Sequence, residues 1–242
     1  MWRLKKLNRK KITFIPKNEY VIEYAPKPEP MSKNLPVWWR KSQPYIGGEK
    51  KVINGQYNET VKKCPGILDL ITTGYMLKTP CDIYIDATGE KVEFQVQELH
   101  RQSISMHSRD QVESWDFDRE LFMDDIFRIH PMWVVSTPKG YSTLFIHPSF
   151  YNDLPFEAVP AIIDTDMYVS DGPFSFRIKR GFKGVIEAGT PIIQCIPYRR
   201  EEWEADVLEK PLLKILNSLG VKLKYKFGGA YKAIMWEKKV FK

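Results

Sequence analysis

The chain has 242 residues, of which 43% are hydrophobic and 28% charged, and its formal net charge is +7. This composition supplies apolar material for one main core, excludes extended disorder outside the ends, and holds no apolar run of the roughly 18 to 20 residues that crosses a bilayer. The three cysteines, Cys64, Cys81 and Cys195, lie too far apart for a disulfide framework or a zinc ribbon and read as reduced, mostly buried thiols.

Basic residues crowd both ends. Arg3, Lys5, Lys6, Arg9, Lys10 and Lys11 mark the N-terminus, and Lys222, Lys224, Lys226, Lys232, Lys238, Lys239 and Lys242 the C-terminus. No apolar stretch of signal-peptide length follows Met1 to Lys11, so secretion by the usual route is not expected. The expected organisation is a basic arm and proline-rich connector over 1–30, a β-sandwich core over 31–200, and a helix plus basic segment over 201–242.

From the N-terminus, Ile12 to Ile15 and Tyr20 to Tyr24 read as short strands, because β-branched and aromatic residues alternate with polar ones. Pro26-Lys27-Pro28-Glu29-Pro30 forbids a helix and implies an extended connector. The cluster Leu35-Pro36-Val37-Trp38-Trp39-Arg40 follows it. Paired tryptophans are costly to expose, so Trp38 and Trp39 either staple this arm to the core or offer a stacking platform to a partner. Asn58-Glu59-Thr60 matches a glycosylation sequon, a triplet common by chance. Cys64 to Ile71 predicts a short helix, with Pro65 in its first turn and Gly74 beyond its end.

Period-two alternation then takes over. Asp82 to Asp86 and Lys91 to Gln97 alternate around Thr88-Gly89-Glu90 and predict a hairpin. Glu98 to Asp125 is polar and weakly patterned, a loop with a little helix. Ile129 to Val135 and Ser142 to His147 predict a second hairpin, turned at Thr137-Pro138-Lys139-Gly140, with its two strands adjacent and antiparallel. Ala161 to Val169, Phe174 to Lys179, Gly184 to Ile186 and Pro191 to Ile196 continue the series at spacings of about ten residues. The fold class is therefore mainly β, an antiparallel β-sandwich or jelly roll with a few short helices. Expected core residues are Phe94, Val96, Trp133, Val135, Leu144, Ile146, Ile163, Phe176 and Ile193. One C-terminal amphipathic helix is predicted from Leu208 to Leu219, since Leu208, Leu212, Ile215, Leu216 and Leu219 share a side. A strand over Lys222 to Phe227 should follow it.

No glycine-rich phosphate loop, dinucleotide fingerprint, nucleophile-elbow serine or paired-His zinc helix is present. The histidines are His100, His107, His130 and His147, the first two in the polar loop. A jelly-roll oxygenase holding non-haem iron needs two His and one carboxylate on one face. The sequence has no His-x-His or His-x-Asp pair, but Asp164 and Asp166, two residues apart, would share a strand face. His130, His147, Asp164 and Asp166 are thus the candidate metal ligands under an enzyme reading; otherwise no cofactor is expected. Lysines and arginines interleaved with Trp2, Phe14, Tyr225, Phe227, Tyr231 and Trp236 could hold a nucleic-acid backbone at the termini.

Lys62-Lys63-Cys64-Pro65-Gly66-Ile67-Leu68-Asp69, Gly74-Tyr75, Cys81-Asp82-Ile83-Tyr84-Ile85, Ser136-Thr137-Pro138-Lys139-Gly140-Tyr141-Ser142, Asp164-Thr165-Asp166 and Ala188-Gly189-Thr190-Pro191 form a recognisable set. Over roughly residues 30 to 200 the chain resembles a family of unassigned activity in tailed, T4-like phages of marine cyanobacteria, with bacterial relatives. The resemblance assigns no catalytic residue. It implies a phage protein in the virion or the host cytoplasm, most simply a structural or assembly-associated binding protein. Its partners would be other virion proteins or further copies of itself, met through Arg3, Lys5, Lys6, Arg9, Lys10, Lys11, Trp38 and Trp39.

Overall fold

The computed structural model describes residues 10–97, 103–170, 172–208, 217–218 and 230–242. In chain order, β1 (Thr13–Pro16), α1 (Glu19–Tyr24), β2 (Glu29–Pro30), α2 (Val37–Lys41), β3 (Val52–Ile53), β4 (Gln56–Tyr57) and α3 (Pro65–Thr72) precede the main β run. That run comprises β5 (Tyr75–Lys78), β6 (Ile83–Asp86), β7 (Glu93–Val96), β8 (Ile104–Met106), β9 (Phe122–Ile129), β10 (Trp133–Ser136), β11 (Tyr141–Ile146) and β12 (Phe156–Ala158). It continues through β13 (Ala161–Ile163), β14 (Phe174–Lys179), β15 (Lys183–Ile186) and β16 (Pro191–Arg199). The one-turn helix α4 (Arg109–Val112) precedes β9, and α5 (Ala230–Ile234) lies near the C-terminus. Among the described residues no helix is long and apolar enough to cross a membrane.

Two compact units divide the chain: Met1–Glu29 with Gly74–Arg200, and Pro30–Thr73 with Glu201–Lys242. The sequence pattern predicts one core over 31–200 with appended ends. The grouping of 30–73 with the C-terminal segment has a visible cause in Asp69 of α3, whose Oδ2 accepts from Trp236 Nε1 at 2.9 Å and from Lys239 Nζ at 2.8 Å.

The first unit is mainly antiparallel β. Its sheets run β13-β11-β16-β5-β2, β12-β14-β9-β8 and β15-β6-β7, and β1 pairs with β10. Inner faces of the three larger sheets meet in one core, a β-sandwich arrangement. Ile83 and Ile85 of β6, Met123, Phe127 and Ile129 of β9, Phe174, Phe176 and Ile178 of β14, and Ile193 and Cys195 of β16 all face it. The even spacing within each strand follows from the pleat, and each fully buried aliphatic or aromatic side chain contributes about 1.5 to 3 kcal/mol. Gly74 enters β5 at φ 82°, where any side chain would collide with the Cys195 carbonyl of β16.

Several sequence expectations are corrected by this arrangement. Tyr20 to Tyr24 is helical rather than extended, because Asn18 Oδ1 accepts the Val21 N–H at 3.1 Å and starts a turn. The turn at Pro138 to Gly140 joins β10 to β11, but these strands belong to different sheets, β10 pairing with β1 and β11 with β13 and β16. On β11 the buried side chains are Ser142, Thr143 and Phe145, so Leu144 and Ile146 are half-buried instead of central. Val135, Phe176 and Ile193 are buried as expected, and Phe94, Val96, Trp133 and Ile163 pack against the core from its margin. Most of the helix expected from Leu208 to Leu219, and the strand over Lys222 to Phe227, lie outside the described residues. Glu98 to Asp125, expected as a loop with a little helix, holds the one-turn α4 but also β8 and the start of β9.

In the second unit, α3 appears where the sequence places it, with Pro65 at its first position. Buried Asn58 ties the preceding loop together: its Nδ2 donates to Ile46 O at 2.9 Å and Glu49 O at 2.8 Å, and its Oδ1 accepts from Lys51 N at 2.7 Å. A sequon asparagine so engaged has no amide left to offer. Trp39 is buried at 3% exposure, while Trp38 meets it edge-on and keeps 38%. All three cysteines are free, Cys81 and Cys195 buried and Cys64 exposed.

Candidate functional site

The four candidate metal ligands do not converge: His147 and His130 are engaged apart from each other, and the two aspartates share a different partner. His147, half-buried in the first unit, accepts the Ala158 N–H at Nδ1 (3.2 Å) and donates from Nε2 to the Tyr151 carbonyl (3.1 Å). Burial holds its imidazole below the ordinary histidine range, in the neutral form that this pair of bonds requires. His130 Nε2 lies 3.1 Å from Ser105 Oγ. Among the described residues, no group of three His, Cys, Asp or Glu side chains comes together as a metal site.

Asp164 and Asp166 do not lie on a strand face, since β13 ends at Ile163 and both sit in the turn beyond it, where they meet Arg200. Its Nη1 and Nη2 donate to Asp166 Oδ1 and Oδ2, and Nη1 also lies 3.2 Å from Asp164 Oδ1. Ser142 Oγ donates to Asp164 Oδ1 at 2.6 Å, and the Gly140 N–H donates to Asp166 Oδ2 at 2.7 Å. The guanidinium, then the Gly140 amide, hold the Asp166 carboxyl down to about 2. Thr165, between the aspartates, points inward, its hydroxyl 2.7 Å from that of Thr137 and 2.8 Å from that of Thr143, all three residues buried. The Arg200 N–H closes on the Gly140 carbonyl at 2.9 Å. Arg200 offsets one of the two negative charges, and Ser142 Oγ, which donates to Asp164, also accepts from Arg200 Nη1 at 3.0 Å, so the arrangement clamps two turns together. Arg200 lies beyond the strand expected from Pro191 to Ile196, and nothing local in the sequence ties it to the aspartates. Two carboxylates two residues apart were the available signal, since they call for a cation.

The clamp carries an exposed apolar segment. β13 pairs with β11 on one side and ends its sheet. Beyond it the Met167 and Tyr168 N–H groups both close on the Asp164 carbonyl, at 2.9 and 2.8 Å, in a tight turn. Ile162, Met167, Tyr168 and Val169 are 62%, 79%, 52% and 49% exposed. No sequence argument singled out this run, because the same residues read equally well as an alternating strand.

Of the proposed partner-binding residues, Arg3, Lys5, Lys6 and Arg9 lie outside the described residues, and Lys10 and Lys11 are exposed. Of the two tryptophans only Trp38 keeps appreciable surface. His100 also lies outside the described residues.

No protein-family model and no curated protein matches the chain. Among solved structures, the fold is similar to that of a mutant dUTPase from phage phi11 of S. aureus, described for its coordination of a structural Mg(II) ion. The TM-score is 0.33 at 10% identity, covering 68% of this chain and 97% of that one. A second structure of the dUTPase from the same phage, described for its species-specific insert, gives a TM-score of 0.26 at 12% identity, covering 54% and 97%. No chemistry is carried over from these enzymes.

Proposed function

We propose that the protein works by binding, as a phage virion structural or assembly-associated protein. The observation that carries this reading is the apolar segment around Ile162, Met167, Tyr168 and Val169, exposed beside a sheet edge and fixed by the Arg200 clamp. Exposed apolar surface on a rigid mount favours association. The side of β13 that pairs with no strand among the described residues selects an extended segment, which adds as one more strand through its backbone. The partner is therefore an extended, apolar-alternating segment of another virion protein, with the basic residues through Lys11 adding electrostatic attraction. The resemblance to phage proteins agrees with this assignment. Mass spectrometry of purified virions tests it: the protein should be a constant component, and a version lacking Met1 to Lys11 should be depleted from particles. Its consistent absence from virions would overturn the proposal.

A further inference from the structure

On the face of the four-stranded sheet opposite the core, Ser105 of β8, Arg128 of β9 and Ser175 of β14 stand in one row, as register partners across three strands. A histidine is joined to each serine. His130 Nε2 is 3.1 Å from Ser105 Oγ, and His107 Nε2 is 3.1 Å from Ser175 Oγ. The main-chain N–H groups of His107 and His130 donate to Ile126 O at 3.0 Å and Ser103 O at 2.8 Å, and the His107 ring is held on its other side by Gln111, with Nδ1 3.3 Å from Oε1. All five side chains are half-buried, so the row is neither sealed nor fully washed by solvent.

Arg128 is the unusual member. Its Nη2 donates to the Met106 carbonyl at 3.0 Å, but its Nε is buried and unpartnered, and among the described residues no carboxylate pairs with it. Arg177, diagonal to it on the same face, also has a buried, unpartnered Nε but is neutralised by Glu157 at 2.8 Å. Arg128 thus holds a positive charge that no described carboxylate offsets, and an oxyanion at the solvent-facing part of this half-buried side chain supplies the missing counter-charge. Guanidinium nitrogens and serine hydroxyls are the donors that tetrahedral oxyanions take, with a planar N–H fork matching two of their oxygens.

We infer that Arg128, flanked by Ser105 and Ser175, binds a phosphate group, with His130 and His107 positioning the two hydroxyls. The shared chemistry is a phosphate, whether the free ion or the ester of a small nucleotide. This inference uses a different sheet from the association surface proposed above, so either can fail without the other.

The test is calorimetric titration of the full chain with inorganic phosphate and, separately, with adenosine monophosphate, each against sodium chloride at matched ionic strength. Saturable one-to-one binding of phosphate is expected, together with a phosphate-dependent rise in Tm. Arg128→Gln should abolish both. The milder S105A/S175A double variant, its fold checked by an unchanged Tm without phosphate, should weaken binding about tenfold or more. Tighter binding of adenosine monophosphate assigns the site to a phosphate ester, and equal or weaker binding assigns it to the free ion. No saturable binding of either probe to the wild type, or unaltered affinity in a folded S105A/S175A variant, overturns the inference.

Discussion

Arg200 meets Asp166 through two parallel hydrogen bonds, Nη1 to Oδ1 at 2.9 Å and Nη2 to Oδ2 at 2.6 Å. Only a planar guanidinium makes both, so Arg200→Lys should lower the Tm nearly as much as Arg200→Ala. The carboxyl sits at about 2 in the folded chain, against about 3.9 when unfolded. A depressed carboxyl stabilises fully above the unfolded value, and that contribution is lost as pH falls from about 4 through 2. Asp86, held down to about 2 first by Lys183 and then by Thr88, titrates in the same window. The decisive quantity is therefore the difference between wild type and Asp166→Asn: the variant's Tm should fall less steeply from pH 4 to 2, and identical slopes would contradict the clamp.

His147 works in the same sense but in a higher pH window. Burial lowers its folded value, so the unfolded chain binds more protons, and stability declines as pH falls below the unfolded value of about 6.5. Urea unfolding at pH 7.5 and 5.5 should show a smaller loss for His147→Gln than for wild type. At pH 7.5, His147→Ala should cost about 1 to 3 kcal/mol, because the Tyr151 carbonyl and Ala158 N–H lose their partner.

The phase of β11 can be read by paired truncations. Phe145 is buried and tilted against Phe174 with centroids 4.8 Å apart, so Phe145→Ala should cost about 3 to 5 kcal/mol. Leu144, half-buried, should cost less on truncation to Ala. Equal costs in chemical denaturation would show that Leu144 is as central as its neighbour.

The exposed segment after β13 gives a separable prediction. M167D/V169D alters two exposed side chains and should leave stability within about 0.5 kcal/mol. Incorporation into virions should nonetheless fall several-fold when variant and wild type compete during infection. Undiminished incorporation would remove this edge from the interface.

Legibility in the sequence tracked how local each determinant is. The β6–β7 hairpin was readable because its register partners, from Ile83↔Val96 to Asp86↔Glu93, lie close in the chain and alternate cleanly. β9 was hidden by Asp125, a carboxylate inside a core strand, made tolerable by Val92 N–H at 2.9 Å and Arg109 Nε at 3.3 Å, neither foreseeable from the strand itself. β11 was misphased because the core takes in the hydroxyl of Thr143 rather than the side chain of Leu144. The β3–β4 turn carried a local signal that was passed over: Asn54 and Gly55 both take positive φ, 49° and 77°, as Asn-Gly favours in a two-residue hairpin. At the clamp, Asp164 and Asp166 were readable as a close pair of carboxylates, whereas Arg200 reaches them from the far end of β16.

β16 occupies the middle of the five-stranded sheet, bonded to β11 on one side and β5 on the other, yet it is the last strand of the β run. The ribosome therefore delivers both of its neighbours well before it. A nascent chain that ends short of Pro191 carries Met76 and Leu77 of β5 and Phe145 of β11 without the strand that bridges them. Strand pairing across so long a separation is slow, and exposed apolar edges invite aggregation while it waits. Completion of this sheet therefore waits for Pro191 to Arg199, and the interval before that segment emerges is when a chaperone holding the chain would do most to raise its yield.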